Sequence, residues 1–328
     1  MKKLVFKFFY RIFILSSLLM VTFFLFGCGI TGKAVYESGQ KPEIYFCPKD
    51  NCGSVLAKNI LNASSSVYCA LYDLDLKNVI AALTNKSGKI EVKIVMDNDN
   101  NDNLIKGENA RFDDNKQLMH NKFCVIDGRI VITGSFNPTN NDNYNNNNNM
   151  LVIYSDTLSK NYKNEFDELW SGNFGEGGKN ANPVVYINGK KVENYFCPED
   201  NCAGRVISSI KGAKSGVYFM TFTFTHGGIA DALLAKDNID VRGIFDSGQS
   251  SSKYSQLKRL KEFGMDVKKD TNKHKLHHKV FIIDNQTVIT GSFNPTQNAD
   301  TKNDENILII HDAEIASLYL KEFDSLWG

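Results

Sequence analysis

Apolar residues follow two rhythms along this chain. Runs such as KIVM (93–96) and KFCVI (122–126) are apolar at nearly every position and rich in β-branched residues, so they predict strands buried on both faces. Stretches such as Val55 to Leu61 and Val79 to Leu83 space their apolar residues three and four apart and predict covering helices. Strand-like and helix-like stretches alternate, which is the signature of a layered α/β unit. The Asn188-Gly189 pair within VVYINGKKV predicts a tight hairpin.

The whole pattern runs twice. IYFCPKDNC (44–52) returns as NYFCPEDNC (194–202), KIEVKIVMDNDN (89–100) as NIDVRGIFDSGQ (238–249), and NEFDELW (164–170) as KEFDSLW (321–327). A Gly- and Asn-rich stretch at 172–183 separates the copies and reads as a linker. The expected organisation is an export segment (1–27), a tether (28–42), a first lobe (43–171), the linker, and a second lobe (184–328).

The sharpest repeat is HNKFCVIDGRIVITGSFNPT (120–139) against HHKVFIIDNQTVITGSFNPT (277–296). Each copy reads His-x-Lys, four residues, Asp, six residues, Gly-Ser-x-Asn. Alternate residues of a strand share a face, so His120 and Lys122 point together, as do His277 and Lys279, while Asn121 and His278 point elsewhere. Asp127-Gly128 and Asp284-Asn285 predict turns, after which VITGSFN returns as the next strand and brings Ser135 with Asn137, and Ser292 with Asn294, near the His-x-Lys end. Two halves facing one another then offer two imidazoles, two ammonium groups and two amides. That set fits a phosphodiester: lysines and amides hold the non-bridging oxygens, one His attacks phosphorus and the other protonates the leaving oxygen. No metal cluster or cofactor is required. Six specified residues recur by chance about once in 10⁸ starting positions.

His120-x-Lys122-x4-Asp127-x6-Gly134-Ser135-x-Asn137 and its copy from His277 to Asn294 resemble the paired HKD motifs of the phospholipase D superfamily. The resemblance extends over nearly all of 43–328, and IYFCP resembles the YFSP start of the small nuclease-like members. It implies two homologous α/β lobes packed with pseudo-twofold symmetry around one shared active site, and a metal-independent phosphodiesterase working through a phosphohistidine. In that family a residue in the strand after the motif bonds the motif His. Here NDENILII (303–310) aligns with NNNNMLVI (146–153), so Glu305 corresponds to Asn148. The expectation within each half is that His277 pairs with Glu305 as the protonated general acid, and that His120 pairs with Asn148 as the neutral nucleophile. Asp127 and Asp284 are expected to be structural, and Ser135 and Ser292 to support the turn or touch phosphate. His226, His274, His278 and His311 have no counterparts and read as surface or packing residues.

Charge and cysteine usage add the setting. Lys2, Lys3, Lys7 and Arg11 precede a run of 16 mostly apolar residues (12–27), the form of an export signal. Leu25-Phe26-Gly27-Cys28 resembles a lipoprotein box, so Cys28 is a lipidation candidate, with an uncleaved anchor as the alternative. Either way the protein is expected to be extracytoplasmic and tied to the membrane at its N-terminus. After residue 27 there are 34 basic and 37 acidic residues, so no global basic field attracts polyanions. Cys47 with Cys52 and Cys197 with Cys202 read as short-loop disulfides, with a shared zinc ion as the alternative. Cys69 and Cys124 are either buried small hydrophobes or a third disulfide. Nine Lys and Arg stand against three acids from Lys253 to Lys279, a candidate polyphosphate track. The expected substrate is therefore nucleic acid, DNA or RNA, with membrane phospholipid as the alternative. Because one chain supplies both imidazoles, a monomer is expected.

Overall fold

The computed structural model describes residues 34–100 and 107–328. The expected signal and Cys28 lie outside the described residues. The first copy contains β1 (Val35–Glu37), β2 (Glu43–Cys47), α1 (Cys52–Asn62), β3 (Ser66–Leu71), α2 (Lys77–Lys86), β4 (Glu91–Met96), β5 (Ala110–Phe112), β6 (Lys122–Ile126), β7 (Ile130–Gly134), α3 (Asn140–Tyr144), β8 (Asn148–Tyr154) and α4 (Asp156–Ser171). The second contains β9 (Val184–Ile187), β10 (Lys190–Cys197), α5 (Cys202–Gly212), β11 (Gly216–Thr221), α6 (Gly227–Leu234), β12 (Asp240–Phe245), α7 (Leu257–Glu262), β13 (Asp266–Lys269), β14 (Lys279–Ile283), β15 (Thr287–Gly291), α8 (Gln297–Thr301), β16 (Glu305–His311) and α9 (Ala313–Trp327).

Each copy forms a mixed sheet. The first runs β2-β8-β7-β6-β3-β4-β5 and the second β1-β9-β10-β16-β15-β14-β11-β12-β13. β9 and β10 are the hairpin expected at Asn188-Gly189, where both residues take positive φ. The stretch expected to be a tether is in part a strand: Val35–Glu37 pairs in parallel with β9 of the second sheet. Glu37 also accepts from the Ser155 hydroxyl and the Thr157 amide at the start of α4, so this segment is built into the fold.

Alternation along the strands sorts the core. On β6, Phe123 and Val125 face a central cluster that gathers residues of both sheets with α4 and α9, while Cys124 and Ile126 face a cluster beneath α1 and α2. The second lobe repeats this outer cluster beneath α5 and α6. The two long helices thus fill the centre and the shorter ones cover the outside, giving the layered lobes that the repeat predicts.

Three disulfides brace the lobes: Cys47–Cys52, Cys197–Cys202 and Cys69–Cys124. The third joins β3 directly to β6, so Cys69 and Cys124 take the disulfide alternative. It closes a separation of 55 residues, worth about 4 kcal/mol on a chain-entropy argument, against about 2 kcal/mol for each short loop. The second lobe fills the same place with Phe219 opposite Phe281, and an added Cβ at Gly243 would collide with the Phe219 ring. A disulfide in one lobe and an aromatic pair over a glycine in the other are two solutions to one packing problem.

Candidate active site

The His-x-Lys segments are placed by backbone pairing between the lobes. Just before β6, the chain leaves its own sheet and pairs with the start of β16: His120 N donates to Asp304 O and Asp304 N to Leu118 O, each at 3.0 Å. The copy does the same in reverse, with His277 N donating to Asn147 O and Asn147 N to Lys275 O, each at 2.9 Å. Buried carboxylates hold both segments from behind. Asp97 and Asp113 accept from Met119 N, and Asp246 accepts from Leu276 N.

This exchange crosses the expected pairing. His120 Nδ1 lies 2.8 Å from both Glu305 oxygens, and His277 Nδ1 lies 2.9 Å from Asn148 Oδ1. Glu305 therefore serves His120 and Asn148 serves His277, the reverse of the within-half assignment. The physical reason is that each imidazole sits on a segment bonded to the other lobe's last strand, so the strand residue it meets belongs to that other lobe. Ser292 donates to Glu305 Oε2 at 2.6 Å and Ser135 to Asn148 Oδ1 at 3.1 Å. Both serines thus orient the group that orients an imidazole. His277 Nδ1 also faces a carboxylate, Asp142 Oδ2, at 3.4 Å.

The histidines and lysines are nearly enclosed, with His120 and His277 each 7% exposed and Lys122 and Lys279 each 3%. Each ammonium donates to the carbonyl of its own motif histidine. Burial, against the pull of Glu305 and Asp142, brings Lys122 down to about 8. Burial and then the Lys122 charge hold Lys279 well below the usual lysine range. Two like charges buried together are unstable until an anion joins them. Replacing Lys279 by Met should therefore raise the melting temperature of the phosphate-free protein, by about 1–2 kcal/mol of stability. The same change should abolish the further rise that inorganic phosphate gives the wild type. Thermal melts with and without phosphate check both signs.

Burial also separates the two imidazoles. It pushes Glu305 up to about 8, against the pull of Lys122 and Ser292, and with Lys122 and Lys279 it pushes His120 well down. At 2.8 Å the pair titrates as a unit and holds one extra proton at neutral pH. Whether that proton makes the pair imidazolium–carboxylate or imidazole–carboxylic acid, His120 Nε2 carries a hydrogen. Burial and Lys279 push His277 down to about 3, while Asp142 pulls it up. At neutral pH His277 is unprotonated, and donation from Nδ1 to Asn148 leaves the Nε2 lone pair free.

The remaining motif residues have distinct places. The Asn137 and Asn294 Oδ1 atoms are both buried without a hydrogen-bond partner. Gly134 and Gly291 have φ of 145° and 143°, and an added Cβ would strike the carbonyls of Asn149 and Asn306 on the neighbouring strands. Asp127 and Asp284 lie at the far turns and accept from the amides of Ser64, Ser65 and Ser66, and of Lys214, Ser215 and Gly216. His226 caps α6 by accepting from Ile229 N. Among the described residues no group of three or more His, Cys, Asp or Glu is placed to hold a metal ion.

Sequence reading missed two sets of residues. Tyr72 and Phe222 present ring edges to His120 and His277 at centroid distances of 4.7 and 4.8 Å. Their signal was present, since VYCALY (67–72) and VYFMTF (217–222) are copies 150 residues apart that end in Tyr72 and Phe222. Asn121 and His278, the middle residues of His-x-Lys, enter the buried seam between the lobes. Asn306 Nδ2 donates to Asn121 Oδ1, and Asn149 Oδ1 lies 3.2 Å from His278 Nδ1. His278 is fully buried there, so it is a seam residue rather than a surface one.

Both halves of the chain are similar to known proteins. The family described as cardiolipin synthase, PLD-like domain matches twice, at residues 56–170 and 206–327. A phospholipase D of Rickettsia prowazekii is 33% identical over 144 residues, 43% of this chain and 70% of that protein. The phospholipase D family member Nuc of Salmonella typhimurium is 33% identical over 42% of this chain and 94% of its own, with a TM-score of 0.41. A phosphatidylserine synthase of Haemophilus influenzae, 12% identical, shares the fold over 86% of this chain and 85% of its own at a TM-score of 0.65. With two family regions each containing the same His-Lys-Asn set, this chain belongs to the phospholipase D superfamily of phosphodiesterase hydrolases.

Proposed function

We propose that the protein is an exported, metal-independent nuclease that works through a phosphohistidine at His277. The observation that carries the mechanism is the unequal support of the two imidazoles, a shared proton at His120–Glu305 and a free lone pair at His277. Lys122, Lys279, Asn137 and Asn294 hold the non-bridging oxygens of the phosphodiester. His277 Nε2 attacks phosphorus, the P–O bond to the leaving group breaks, and that oxygen takes the proton from His120 Nε2. Water then attacks the phosphohistidine, gives its proton to His120 and displaces His277. Every proton and bond is accounted for by these groups and one water.

Nucleic acid is favoured over lipid by the surface chemistry. The large exposed hydrophobic residues described, Tyr36, Leu61, Tyr144, Tyr254, Phe263 and Leu318, lie on six separate segments, none of which is a continuous exposed apolar run of the kind acyl chains would favour. The loops beside His277 carry Asn145, Asn272 and Lys275 instead. The basic track contributes less than its composition suggests, because Lys258 pairs with Glu262 and Arg259 with Asp231. The second reading, a phospholipase, has the Rickettsia relative's name in its favour. Export is supported by the basic and apolar start of the chain and by the three disulfides, which suit an oxidising compartment. One chain carries both imidazoles, so it acts as a monomer.

The test is cleavage in EDTA by protein lacking residues 1–28, offered single-stranded DNA, duplex DNA, RNA, phosphatidylcholine and cardiolipin. Nucleic-acid cleavage that survives EDTA is expected. Head-group or acyl-glycerol release with intact nucleic acid would assign the lipid reading to the same residues, and activity lost in EDTA would overturn the metal-independent mechanism.

A further inference from the structure

We propose that Asp142 is a positioning residue for the nucleophile, supplying from α3 the carboxylate that the β8 strand lacks at Asn148. The inference rests on the assignment of His277 as nucleophile.

The two lobes fix the comparison. Gly53 N donates to Asn143 Oδ1 in the first, and Ala203 N to Asp300 Oδ1 in the second, so Asn143 matches Asp300 and Asp142 matches Ala299. The second lobe therefore offers Glu305 with Ala299, and the first offers Asn148 with Asp142. Each lobe aims one carboxylate at the other's imidazole, from different elements: Glu305 at His120 from β16, and Asp142 at His277 from α3.

Asp142 is 3% exposed and is held by donors on both oxygens. Oδ2 accepts from Asn137 N at 2.8 Å and Asn137 Nδ2 at 2.9 Å, and Oδ1 accepts from Asn146 Nδ2 at 2.7 Å. Burial opposes its ionisation, but His277 and these amides keep it well below the usual carboxylate range. A purely structural role, bracing the Asn137 turn, does not account for it. The second lobe builds the same Gly-Ser-Phe-Asn-Pro-Thr turn with Ala299 at this place. Its Thr296 cap and its Thr296 N to Asn294 O bond repeat those of Thr139 and Asn137. The turn needs no carboxylate, whereas an imidazole that becomes positively charged on bonding to phosphorus gains from one 3.4 Å behind it.

A double-mutant cycle tests this, with bis(p-nitrophenyl) phosphate in EDTA as the probe. D142A and the isosteric D142N should each lower kcat by about 100-fold. N148E alone should also be impaired, because two buried carboxylates then share the site. D142A/N148E reproduces the arrangement of the second lobe and should recover to within about threefold of the wild type. A double variant no better than D142A, or a D142N as active as the wild type, would overturn the proposal. Nitrogen-15 spectra of the His277 ring give a readout that does not need turnover. The groups facing this ring are Asp142 from α3, Asn148 from β8, Lys279 from its own strand, Lys122 from β6 and the Phe222 ring. His277, which Asp142 touches directly, should titrate lower in D142N and return toward its wild-type value in D142A/N148E, with a smaller shift at His120, which Asp142 also pulls up. If the wild type does not hydrolyse the probe, the proposed function fails, and the His277 titration still decides the role of Asp142.

Discussion

Replacing His277 by Ala removes turnover by about 10⁴-fold or more on every phosphodiester, because no other lone pair is placed to form the bond to phosphorus. Replacing His120 by Ala has a conditional effect. With a nucleotide as leaving group the loss is similar, since an alkoxide cannot depart without a proton. With p-nitrophenolate, which needs none, the first step survives and the reaction stalls with one equivalent of p-nitrophenol released per protein. The contrast follows from the crossed pairing: His277 is held neutral by burial and by Lys279 while Asn148 fixes its Nδ1–H, and His120 shares a proton with Glu305. Rates on one nucleotide and one p-nitrophenyl substrate, measured for both variants, check it.

Glu305→Gln carries the second large effect. The acid loses the proton store behind it, so the rate with a nucleotide leaving group falls by about 10²–10³-fold while p-nitrophenyl release changes far less. The pH profile moves with it. In the wild type the rate on nucleotides declines as pH rises through about 8, where the His120–Glu305 pair gives up its proton. The variant lacks that limb. Stability follows the same ionisation. Because the folded value lies above the unfolded one, the contribution of Glu305 is complete below about pH 4.5 and is lost as pH rises through about 8. The variant should show a flatter melting temperature across that window. Rate profiles on the two substrates, with melts at matched pH, give both results.

What could be read from the chain alone was what is local or repeated. His-x-Lys sharing a face, the hairpin from β6 to β7 and the turn at Asn188-Gly189 depend on a few consecutive residues, and duplication made the first two visible twice. Glu305 and Asn148 stood out because the copies differ there. Their partners could not be read, because the pairing is decided by bonds 185 and 129 residues apart in sequence, where one lobe's entry segment joins the other's last strand. Asn121 and His278 were likewise known to point away from the site, but not that they point into the seam. Asp142 was hidden inside a run of asparagines whose composition suggests a polar loop, and only the fold of α3 brings it to His277.

The histidine that carries the phosphoryl group can be identified directly. His120→Ala protein, mixed with bis(p-nitrophenyl) phosphate in EDTA and quenched during the burst, would be digested and mapped by mass spectrometry under conditions that preserve phosphohistidine. The expected result is one nitrophenyl-phosphoryl adduct per chain, on the peptide containing His277, and none in protein that also carries His277→Ala. The contradicting result would be a burst and adduct in His277→Ala protein with the label on His120. That would reverse the two roles and show that the carboxylate of Glu305 serves the nucleophile rather than the acid.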